Sequence, residues 1–234
     1  MTPEQLQSYI FGGGAHPLAA ELAQWAGESP RFRAFAETYR DKIRKKLRGA
    51  ADEQYLLDLR CELLVARLLL RERSFALEYE KGGVGTRRAA DFLVTFKTHT
   101  PLNVEVRRIR PTERPEQSSE HNLGKLAGVL SQKLGQLAPG MLNMLALHYD
   151  AALPAGFDAA GMLAALRLRA ERGDDELFAR RGFAGARDFL RHWARLHAVL
   201  FLLPQPHAPA LWLNSQARPR IPDDLRRAMA RLAI

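Results

Sequence analysis

Four charged residues stand where the surrounding pattern expects apolar ones. Glu62 lies between Leu59 and Ala66 on the inward stripe of a leucine-rich run, and Lys133 falls within the stripe formed by Leu126, Leu130, Leu134 and Leu137. Asp91 opens one short alternating segment and Glu105 interrupts another, LNVEVRRI. A buried charge is costly unless it is paired, hydrogen-bonded or bound to metal. Two carboxylates held close together repel each other and raise a pKa unless a cation neutralises them. Oxygen-only ligands suit Mg²⁺ or Mn²⁺ rather than zinc, and such an ion can polarise a phosphodiester and activate water. An amine or guanidinium beside it would steady the developing negative charge.

These residues need elements to carry them. A helix is predicted over 51–73, where Leu56, Leu59, Leu63, Ala66 and Leu70 recur at three- and four-residue intervals without glycine or proline. Strands are predicted over 75–80, 91–97 and 102–109, the first two joined through Gly82-Gly83-Val84-Gly85 and the last two through the short polar connection 98–101. Strand alternation sends Glu105 and Arg107 to one face, and Val104 and Val106 to the other. A polar loop marked by Pro111 and Pro115 precedes a helix over 122–137, and the apolar run 141–148 reads as a buried strand. The fold class is therefore α/β, an α+β mixed sheet with the order helix-strand-strand-strand-helix-strand. Residues 1–50 form a helical preface broken at Gly12–Gly14 and near Ser29-Pro30. Residues 151–234 extend the same sheet with helices over 158–172, 183–194 and 222–233 and strands over 197–203 and 210–214.

That order, with Glu62 in the first helix, Asp91-Phe92 opening a strand and Glu105-Val106-Arg107 after a hairpin, resembles the PD-(D/E)XK nuclease superfamily, the restriction-endonuclease-like fold. The resemblance covers about residues 51–150 and implies a metal-dependent hydrolase of phosphodiesters. It implies Glu62, Asp91 and Glu105 as ligands of Mg²⁺ or Mn²⁺, and Asp91, Glu105, Arg107 and Lys133 as the catalytic set. Gln132 and Gln136 match an accessory polar position of the helix. Ala90 replaces the proline of the motif, and Arg107 replaces its lysine. A guanidinium stays protonated, so Arg107 can hold a phosphate but cannot act as a base; Lys133 is the residue that could restore an amine. The alternative is a catalytically inactive nuclease-like fold that binds nucleic acid or protein.

Charge favours an anionic partner: Lys and Arg number 35 against 26 Asp and Glu, a net +9. Arg40, Lys42, Arg44, Lys45, Lys46 and Arg48 form one basic cluster, and Arg107, Arg108, Arg110 and Arg114 a second. The expectation is nucleic acid tracked by its backbone charge, DNA before RNA, with Arg108 and Arg110 among the contacts. The oligomeric state is left open, a homodimer included. No run of residues is long and apolar enough for a membrane span, the start MTPEQLQSYI lacks the pattern of a secretory signal, and Cys61 is the single cysteine. A cytoplasmic protein is expected. Gly12–Gly14 lacks the Lys-Ser/Thr of a phosphate-binding loop, and His192 with His197 lacks the H-E-x-x-H order of a zinc protease, so neither carries an assignment.

Overall fold

The computed structural model describes residues 1–50, 52–80, 90–110, 119–150, 158–204 and 207–233, with the backbone alone over 119–125. The Gly82–Gly85 turn, the Pro111 and Pro115 loop and Arg114 lie outside the described residues. Four helices open the chain: α1 (Pro3–Phe11), α2 (Ala19–Glu28), α3 (Pro30–Thr38) and α4 (Arg40–Arg48). Thr2 caps α1 in a reciprocal box with Gln5, and Ser29 caps α3 with Pro30 at its first position. The long helix α5 (Glu53–Leu69) starts on the carboxylate of Asp52, which accepts the Tyr55 N–H at 2.8 Å.

Strands β1 (Phe75–Tyr79), β2 (Phe92–Phe96) and β3 (Thr100–Ile109) form an antiparallel meander. Helix α6 (Ser119–Leu134) then crosses to β4 (Leu142–Tyr149), which lies parallel to β3. Parallel neighbours need such a crossover. A second crossover through α7 (Ala159–Glu171), α8 (Asp175–Ala179) and α9 (Ala186–Trp193) leads to β5 (Ala198–Leu202), parallel to β4; β6 (Ala210–Leu213) returns antiparallel before α10 (Asp223–Ala230) and a final 3₁₀ turn. The result is one mixed six-stranded sheet in the order β1-β2-β3-β4-β5-β6. Every residue of β5 and the first six of β4 are buried, which explains why these strands read as continuous apolar runs rather than alternating ones.

Two apolar cores flank the sheet. On one face α1 to α5 and α10 cover Phe92, Val94, Val104, Val106, Met144 and Leu200; on the other α6 to α9 cover Leu145, Leu147, Val199 and Phe201. Among the described residues no helix is long and apolar enough to cross a membrane. The short α8 has no counterpart in the sequence reading, since five residues give no helical period to detect.

Candidate active site

The site begins where β2 starts. Phe92 pairs with Val104, whereas β3 runs on to Ile109, so among the described residues no strand pairs antiparallel with β3 beyond this point. Asp91, one residue before β2, takes over: its Oδ2 accepts the Val106 N–H at 2.7 Å, while its carbonyl accepts the Glu80 N–H at 2.9 Å. An unmade backbone bond in the interior would be expensive, so a short acceptor side chain at this position serves the fold as well as any chemistry.

Glu105 pairs across with Leu145, and Arg107 with Leu147, which places both on the face covered by α6. The last turn of α6 delivers Lys133, whose Nζ lies 2.6 Å from Glu105 Oε2 and 4.0 Å from Asp91 Oδ2. The side chains of Lys133, Glu105 and Asp91 are only 15%, 10% and 19% exposed. Two carboxylates thus approach one ammonium among side chains that are mostly buried. Arg107 Nη2 reaches Gln132 Oε1 at 3.4 Å along the same face, and Gln136 is exposed beyond the end of the helix.

Glu62 is engaged differently. Its Oε2 accepts from Lys46 Nζ at 2.6 Å and from the hydroxyl of Tyr79. Lys46 also lies 2.5 Å from Glu80 Oε1 and 4.8 Å from the centre of the Tyr79 ring. Burial pushes the Glu62 carboxyl above its ordinary value; Lys46 and Tyr79 oppose this, and the charge of Asp91 adds to it. Burial likewise raises Tyr79, helped by Glu62, so its hydroxyl stays protonated and can donate. Of the three acids expected to share one ion, the structure therefore brings Asp91 and Glu105 to a common point. Glu62 stands beside Asp91 as a charge, tied to its own lysine and tyrosine. Among the described residues no group of three or more His, Cys, Asp or Glu is placed to hold a metal. The pair that remains still fits Mg²⁺ or Mn²⁺, because Mg²⁺ keeps several waters and commonly binds one or two carboxylates plus substrate phosphates.

The basic cluster divides by contact. Arg40 and Arg44 lie over the Tyr9 ring at 5.2 and 5.0 Å. Lys42 donates to the carbonyls of Tyr79 and Glu80 at 2.7 and 3.2 Å, and Lys46 is spent as above. Lys45 and Arg48 are exposed. Arg108 departs from the expectation of a nucleic-acid contact: its side chain is 2% exposed, and it binds Asp58 at 2.7 Å, Gln54 Oε1 at 2.6 Å and Asp150. The reason is strand parity, since Arg108 shares the face of Val104 and Val106, under α5. Arg110 is 54% exposed, with Asp58 3.4 Å away.

Gln54 and Asp58 escaped the sequence reading. Gln54, Asp58 and Glu62 recur at intervals of four along α5, a polar stripe that meets Arg108 at one end and Lys46 with Tyr79 at the other. That spacing was a readable signal. His148 Nδ1 lies 2.9 Å from Asp150 Oδ1, and its pKa is lowered, by burial above all. Buried Cys61, whose thiol burial drives far up, is an inert packing residue.

No protein-family model, no curated protein and no solved structure matches this chain.

Proposed function

We propose that this chain is a divalent-cation-dependent nuclease on a restriction-endonuclease-like core, hydrolysing phosphodiester bonds of DNA in the first place and RNA in the second. One observation carries the reading: Asp91 and Glu105, fourteen positions apart in sequence, approach the same ammonium, that of Lys133, and all three side chains are mostly buried. Asp91 and Glu105 would hold Mg²⁺ or Mn²⁺, which when bound lowers the pKa of attacking water and neutralises the leaving oxygen. Val106 N–H fixes the Asp91 carboxylate. Lys133 supplies the amine that the arginine at the motif position cannot, and Arg107 holds a non-bridging phosphate oxygen. Lys45 and Arg48, exposed on α4, attract the nucleic-acid backbone without reading sequence. Glu62 contributes negative charge beside Asp91 rather than a ligand.

A second reading, a cleavage-incompetent module that binds nucleic acid, is favoured by one feature: Glu105 already has a 2.6 Å ion pair with Lys133. Incubation of single- and double-stranded oligonucleotides with Mg²⁺ or Mn²⁺ separates the two. The nuclease reading expects cleavage that chelation stops, and a loss of at least about a hundredfold in Asp91→Ala with binding retained. Binding without cleavage under every cation establishes the second.

A further inference from the structure

Ammonium groups already stand at both acid pairs at this end of the sheet. Lys46 bridges Glu62 and Glu80 at 2.6 and 2.5 Å, and Lys133 stands 2.6 Å from Glu105 and 4.0 Å from Asp91. Lys133 does not reach the pair from a loose surface tether. It sits in the last turn of α6, where a cation is favoured by the helix dipole, and its neighbours Leu130 and Leu134 are fully buried. The ammonium is therefore anchored at the point a dication would have to take. Like charges at such a separation repel several times more strongly among mostly buried side chains than in water.

We infer that Lys133 is the resident counter-ion of the Asp91–Glu105 pair, so that cation uptake is coupled to nucleic acid: a phosphate gives the displaced ammonium a new partner. This rests on the nuclease reading above but makes a separate claim, that the carboxylates resist a free divalent ion in the absence of substrate. Without a phosphate, a dication binding between the carboxylates would both break the Lys133–Glu105 pair and face the freed ammonium. With a phosphate, Lys133 Nζ can move to a phosphate oxygen while the two carboxylates turn to the ion.

The test measures binding of Mn²⁺ alone to the full chain, by electron paramagnetic resonance of free Mn²⁺, without any turnover. Lys133→Gln is expected to bind Mn²⁺ at least about tenfold more tightly than the unmodified protein. Lys133→Arg, which keeps the charge, stays weak, and Asp91→Asn added to Lys133→Gln removes the gain. In parallel, a phosphorothioate dinucleotide that resists hydrolysis raises the Mn²⁺ affinity of the unmodified protein by a similar factor, a result that depends on no variant folding. Equal Mn²⁺ affinity in the unmodified protein and Lys133→Gln, lost in both with Asp91→Asn, would overturn the counter-ion role and leave the nuclease reading standing. So would an Mn²⁺ affinity that ignores the dinucleotide while still requiring Asp91. Mn²⁺ binding indifferent to Asp91 throughout overturns both.

Discussion

Replacing Lys46 with methionine tests the wiring around Glu62. The substitution keeps most of the aliphatic stem, so the packing over Tyr79 is largely preserved and the change is chiefly electrostatic. Glu62 and Lys46 have side chains 17% and 16% exposed, and removing one partner of a buried pair typically costs about 3–5 kcal/mol. Glu62 has an escape that limits this figure. A carboxyl of ordinary value 4.5 can take up a proton at pH 7 for about 3.4 kcal/mol, which caps the electrostatic part of the deficit. The sign with pH follows from burial, which already holds the folded value of Glu62 above the unfolded one and does so more strongly once Lys46 is gone. A group raised in the folded state contributes stability that is complete below the unfolded value and is lost as pH rises through the folded one. The deficit of Lys46→Met relative to the unmodified protein should therefore be about 3 kcal/mol at pH 7. It should shrink as pH falls, by up to about 1.4 kcal/mol per pH unit, over the range where the folded variant holds the Glu62 proton and the unmodified protein does not. Urea denaturation at several pH values, with the slope m checked for constancy, reads this directly. Adding Glu62→Gln to Lys46→Met should abolish the pH dependence and recover most of the loss. A deficit flat between pH 5 and 7, or one the second substitution leaves in place, would refute the assignment of Glu62 to Lys46.

Two further outcomes separate structural from recognition charges. Arg108→Met should destabilise by about 3 kcal/mol in urea, because Asp150 and Asp58 lose the buried guanidinium that joins them, Asp58 keeping only the exposed Arg110; the folded fraction should bind nucleic acid with an unchanged salt slope. Lys45→Ala with Arg48→Ala should leave stability within about 0.5 kcal/mol and lower the slope of log affinity against log salt by about 2.

What the sequence disclosed and what it hid divide along physical lines. Period-2 alternation places Glu105 and Arg107 on one face of β3, and a lysine on the leucine stripe of α6 demands an acid nearby; both inferences come from local geometry and both meet in the Lys133–Glu105 pair. The order of strands followed from short connections and from the need of a parallel pair for a crossover helix. Glu62 was visible as a misplaced acid, but its partners Lys46 and Tyr79 arrive through the packing of α4 and β1 against α5, which no period records. Counting charge grouped Arg108 with Arg107 and Arg110, although parity with Val104 and Val106 already turned it inward. The same count treated Arg40 to Arg48 as one surface, whereas helix geometry gives neighbouring positions different faces: Arg40 and Arg44 over Tyr9, Lys42 and Lys46 toward β1, Lys45 and Arg48 to solvent.

Anomalous scattering from a crystal grown with Mn²⁺ and a phosphorothioate oligonucleotide would locate the ion itself. The nuclease reading requires Mn²⁺ about 2.1 Å from one oxygen each of Asp91 and Glu105, with Lys133 Nζ moved from Glu105 onto a phosphate oxygen. Mn²⁺ bound elsewhere, with the Lys133–Glu105 pair still closed beneath a seated oligonucleotide, would contradict it.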